Sequence, residues 1–228
     1  MPSRKLLLSA LTLLLIGGFT MRPDSGFRPS DIQEMVLLPP VGVVSLIGQG
    51  SRPTFDPDAS SDAAELLRQV LFQHDAQLHL TGQVQLKDST ARRAIARNIV
   101  RTIGLLESRR KATMALSQPW LDTLLTARKQ RYGLVSCVWG FTRTRANRRA
   151  LIARDLGIGL LSMGMLVPIT ANASVRLGVF IYDAQTHAIV YYKTNSPTEE
   201  DPLAGNGKII DKEIMSILGK DFNLNSGN

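Results

Sequence analysis

Tyr132-Gly133-Leu134-Val135-Ser136-Cys137-Val138-Trp139-Gly140-Phe141-Thr142 is the stretch on which the fold turns. It carries no charge and is rich in β-branched and aromatic side chains, so it reads as a central strand. At a side-chain period of two, Val135, Cys137, Trp139 and Phe141 share one face. The lone cysteine therefore reads as a small buried hydrophobe, and with no histidine beside it in a motif it is not a nucleophile.

Upstream, Met35 to Ile47 is apolar and β-branched, a buried strand broken at Pro39-Pro40 because proline cannot donate to a ladder. Gly48 to Ser61 reads as a loop. Asp62 followed by Glu65 resembles a capping box and opens a helix to about His74, with Leu66, Leu67, Val70 and Leu71 inward. His79 to Lys87 alternates as a half-exposed strand. From Ser89 to Arg109 a helix places Ile95, Ile99, Ile103 and Leu106 on one stripe. Pro119 opens a further helix, with Trp120, Leu121, Leu124 and Leu125 apolar and Arg128, Lys129 and Arg131 in its last turn.

Downstream, Leu156 to Val175 runs 20 residues without a charge. That length suits a membrane span, but Pro168, Asn172 and three glycines favour an apolar insert buried in the fold or apposed to a membrane. Ser174 to Asp183 and Ala188 to Thr194 form a hairpin, and Ile209, Ile210, Ile214, Ile217 and Leu218 give a closing helix its inner face. The expected fold is α/β (mixed α+β): a single domain over 35–222, with a mixed sheet of about four to five strands flanked by helices. A linker is expected at 22–34 and a disordered tail at 223–228.

The chain has 228 residues, 44% apolar and 20% charged, with a formal charge of +8 and a mean hydropathy of +0.01. These values suit one core and exclude a polytopic membrane protein, a collagen and a low-complexity chain. One cysteine excludes an internal disulfide framework. Arg4 and Lys5 precede an apolar run from Leu6 to Ile16 and then Gly17-Gly18, the layout of a secretory signal peptide over 1–21, or of an uncleaved amino-terminal anchor. The expected location is outside the cytosol, in the periplasm or at a membrane.

Charge is segregated. Asp24 to Asp75 holds eight acids against three bases, whereas Lys87 to Arg154 holds sixteen bases against three acids. Arg93, Arg97 and Arg101 recur every four residues on one helix face, and Arg143, Arg145, Arg148 and Arg149 follow the central strand. These seven are the candidate site for an anionic lipid surface or an acidic envelope protein. Export argues against nucleic acid, and the few aromatics do not interleave with the arginines as a stacking platform requires.

Motifs for catalysis fail on inspection. Asp56, Asp58, Ser60 and Asp62 alternate like the start of a calcium loop, but Ser61 replaces the turn glycine and Leu67 the bidentate Glu. Gly157 and Gly159 lack the third glycine of a dinucleotide fingerprint. Gly159 to Gly164 misses the nucleophile elbow by one residue. His74, His79 and His187 are scattered. No metal, cofactor or small-molecule substrate is therefore expected. A non-enzymatic binding protein is the leading reading, ahead of a component anchored through 156–175 and of a small hydrolase.

The order of elements, with Asp183-Ala184-Gln185-Thr186 leading into a Val/Tyr-rich strand that reaches Tyr192, resembles bacterial envelope proteins related to the TolB amino-terminal domain and the curli-secretion lipoprotein CsgG. In those relatives a glycine commonly follows the Thr of the turn; here His187 stands there. Many are lipoproteins, whereas no cysteine follows the apolar stretch here. The resemblance implies a non-catalytic α/β domain in envelope assembly that forms homo-oligomers at a membrane, and it carries over no site residues.

Overall fold

The computed structural model describes residues 28–48, 52–86, 88–109, 117–144, 146–151 and 171–224, without the side chains of residues 30 and 109. The expected signal stretch 1–21, residues 22–27 of the linker, most of the apolar insert, Arg145 and the end of the tail lie outside the described residues.

The strand read as central is β5 (Tyr132–Arg143), and it organises everything else. Along one edge it pairs antiparallel with β6 (Ala173–Asp183), from Tyr132 opposite Asp183 to Thr142 opposite Ala173. Along its other edge lie two parallel segments end to end. β1 (Met35–Leu37) pairs with Tyr132 to Leu134, and β2 (Val41–Ile47) pairs with Cys137 to Arg143. Pro39-Pro40 interrupts the ladder between them, as prolines without an N–H must. Outside β2 runs antiparallel β3 (Pro53–Phe55), and outside β1 runs parallel β4 (Leu80–Gln83). β7 (Ala188–Thr194) returns along β6. The seven strands thus lie as about five lanes of one mixed sheet, in an α/β domain.

Helices cover both faces. α1 (Pro57–Gln73) and the closing helix α4 (Lys208–Phe222) pack on the face of Val44, Leu134, Val138, Leu177 and Val179. α2 (Ser89–Arg109) and α3 (Pro119–Thr126) pack on the face of Val41, Val135, Cys137, Phe180 and Tyr182. The result is three layers, with an apolar stripe of each helix facing the sheet.

Several readings need correction. The expected loop over Gly48–Ser61 contains β3, and α1 begins at Pro57, not Asp62; Asp56 is its N-cap, its carboxylate accepting the Ala59 N–H at 3.0 Å. The serines that suggested a loop include a buried one. The Ser60 hydroxyl accepts the Val44 N–H at 2.9 Å and donates to the Asp56 carbonyl at 2.6 Å, tying helix to sheet. The strand at His79–Lys87 shortens to β4, because β1 offers only three residues to pair with. Arg128, Lys129 and Arg131 all lie beyond the end of α3, and Arg131 pairs elsewhere. Ile32, in the expected linker, is 1% exposed and belongs to the core. Ala173, Ser174 and Val175, the end of the uncharged run, open β6. Among the described residues no helix is long and apolar enough to cross a membrane.

Candidate functional site

Arg93, Arg97 and Arg101 are all exposed on the outer side of α2, opposite the buried Ile95, Ile99 and Ile103. At a rise of about 1.5 Å per residue the stripe is about 12 Å long. Among the described residues no carboxylate lies within ion-pair distance of them. Arg93 does act on Asp88 at the start of the helix, whose carboxyl is held below its usual range mainly by the Thr90 and Ala91 N–H groups. The like charges repel by a few tenths of a kcal/mol per pair, a cost that an anionic surface relieves.

The second arginine group does not join this stripe. Arg143 is engaged: Nε donates to the Ala171 carbonyl at 2.8 Å, Nη1 donates to Asn147 Oδ1 at 3.0 Å, and the guanidinium lies 5.4 Å from the Phe141 ring centroid. Asn147 in turn donates to the Gly48 carbonyl at 2.7 Å. Arg143 is thus a clamp across the ends of β5, β6 and β2. Arg148 is half-buried, Arg149 is exposed, and Arg145 lies outside the described residues.

Sequence reasoning missed a cluster between α2 and the sheet. In register across the strands, Val43, Trp139 and Arg176 form one row and Ser45, Phe141 and Ser174 the next. The Arg176 guanidinium lies 5.6 Å from the Trp139 ring centroid, and its Nη2 is 2.8 Å from Glu107 Oε1 on α2. Beside them is a hollow of about 200 Å³ lined by Val43, Val100, Ile103, Gly104, Glu107, Cys137 and Trp139. Burial, helped by the Glu107 charge, pushes the Cys137 thiol and the Tyr192 phenol each up to about 12. Both stay protonated at neutral pH, so the thiol offers no nucleophile.

Three further displaced groups, Asp183, Tyr182 and Tyr191, belong to packing, while Glu65 with Arg68 and Lys212 with Glu200 are surface ion pairs. Asp183 loses by burial and gains more from Arg131, whose Nε and Nη2 donate to its two oxygens at 3.1 and 2.9 Å, and from the turn N–H of Gln185, so its carboxyl lies below the usual range. Burial pushes the Tyr182 phenol up to about 12 while it donates to Asp122 at 2.9 Å. His187 Nδ1 is 3.0 Å from the same Asp122 oxygen, so strand β6, α3 and the hairpin turn meet at one carboxylate. The Tyr191 phenol is raised by burial and by Asp221, to which it donates at 2.9 Å. Among the described residues no group of His, Cys, Asp and Glu is arranged to hold a metal ion.

These features define a three-layer α/β domain with a basic helix face and an apolar hollow beneath the same helix. Two solved structures similar to it are PelC dodecamers from Paraburkholderia phytofirmans. One, in space group P6, has 11% identity and a TM-score of 0.37, the match covering 84% of this chain and 89% of that one. The other, a point variant in space group C2, has 12% identity and a TM-score of 0.35, covering 81% and 84%. No family model and no curated protein matches the chain.

Proposed function

We propose that this chain is an exported, non-enzymatic cell-envelope protein that meets an anionic partner, a lipid surface or an acidic protein, through the outer face of α2. The observation that carries the reading is the exposed, acid-free stripe of Arg93, Arg97 and Arg101. The basic, then apolar, amino-terminal stretch supports export. The non-enzymatic part is supported by the buried displaced groups, Cys137, Tyr182, Asp183, Tyr191 and Tyr192, each of which is held in a packing contact. Homo-oligomerisation fits this function, since several copies would present several stripes to one surface and gain by avidity.

Liposome co-sedimentation tests it. The full chain should pellet with phosphatidylglycerol vesicles at low salt and stay free of phosphatidylcholine vesicles. At about 1 kcal/mol per basic side chain near an anionic surface, changing all three to Gln should weaken binding by about 100-fold. Binding unaltered by the triple change would reduce the stripe to a solvated helix face.

A further inference from the structure

Among the described residues two large apolar side chains are exposed, Phe55 at 57% and Val100 at 42%. They belong to one surface. Phe55 pairs with Ser45, so its side chain stands on the same face of the sheet as Ser45 and Val43. Val100 stands on α2 at the rim of the hollow that Val43 and Trp139 floor. Gly104, one turn on, keeps the hollow open: a Cβ built there meets no atom within 4 Å. A larger depression of about 440 Å³, lined by Ser45, Pro53 and Phe141 among others, continues along the same face toward Phe55. The two floor aromatics are held in place by Arg176 and Arg143.

We propose that two copies of this chain pair through this face about a two-fold axis, each seating its Phe55 ring in the other's hollow between Val43, Val100, Gly104 and Trp139, whose one carboxylate, Glu107, is answered by Arg176 at 2.8 Å. Size fits, since an apolar cavity of about 150 Å³ holds a benzene ring and this one measures about 200 Å³. Charge fits as well. Phe55 leads directly into α1, where Asp58 and Asp62 are exposed, and the hollow is flanked on α2 by Arg97 and Arg101. The symmetry follows from placement: knob and hole on one face reach their counterparts only when two copies turn that face toward each other. The pairing deepens the homo-oligomer part of the proposed function and commits to a second copy as the occupant. Arg97 and Arg101 serve both ideas, whereas Phe55 and the hollow take no part in the vesicle assay, so Phe55→Ser and Gly104→Leu test the pairing and the triple Gln change tests the stripe, and either idea can fail alone.

The test is disulfide trapping of the full chain, expressed in a bacterial host and oxidised in place. The cysteines must leave the Phe55 ring in place, so they go where the facing charges would meet: Asp58→Cys with Arg101→Cys should run mostly at twice the monomer mass and no larger, while each single variant and the native chain, whose Cys137 is 2% exposed, should form no covalent dimer. Adding Gly104→Leu to keep the ring out of the hollow should cut the covalent dimer about tenfold or more. Phe55→Ser, which touches no core, should shift the native chain to monomer in sedimentation. A ladder of higher multimers would overturn the two-fold arrangement. Monomer throughout, or a dimer insensitive to Gly104→Leu and to Phe55→Ser, would overturn the pairing itself.

Discussion

Asp183 shows how a single side chain holds the hairpin. It is 3% exposed and carries its charge only because Arg131 and the turn N–H groups answer it. Replacing Arg131 by Met leaves a buried carboxylate without its partner and should cost about 2 kcal/mol in urea unfolding at pH 7. Because the folded carboxyl lies below the ordinary 3.8, its contribution is present above about pH 4 and is lost as pH falls through the depressed folded value. The stability gap between the native chain and Asp183→Asn should therefore be widest near neutrality and close in acid; a gap that grows in acid would contradict this assignment. His187 occupies the left-handed region at φ 52°, which explains why glycine suits that turn position. His187→Gly should melt as if about 1 kcal/mol more stable than His187→Ala, since both lose the Asp122 contact and only glycine relieves the backbone.

At the scale of elements, α1 and β2 approach so closely that a Cβ on Gly42 would overlap the Ser60 carbonyl. Gly42→Ala should destabilise by about 3 kcal/mol, read from the denaturation midpoint at unchanged slope, whereas Gly104→Ala, facing open space, should stabilise slightly through helix propensity. The contrast also shows what was legible beforehand. β5, α2 and the hairpin carry their own periodicity, so their residues alone suffice. The start of α1 was misread because Ser60 and Asp62 are good caps in isolation; what decides is the pairing of Ser60 with Val44, a contact between residues 16 apart. β3 is invisible locally, since Pro53-Thr54-Phe55 has no pattern and becomes a strand only because β2 offers it an edge. The arginine stripe was readable from spacing. The Glu107, Arg176 and Trp139 cluster was not, because it joins α2, β5 and β6.

For the whole molecule, β5 is shared by both cores, which ties the two layers of helices into one cooperative unit. In native-state hydrogen exchange, amides of Leu134 to Val138 should open only with global unfolding, while the outermost strand β3 should exchange by local opening. A chain of net charge +8 should also lose vesicle affinity steeply as salt shortens the Debye length to about 8 Å at physiological ionic strength. The Arg143 clamp has a further consequence. By fastening Ala171 beside the end of β5 and, through Asn147, the Gly48 carbonyl, one guanidinium couples the far ends of β6 and β2, so Arg143→Met should let the Thr142 and Ala173 amides exchange by local opening while Leu134 to Val138 keep their protection.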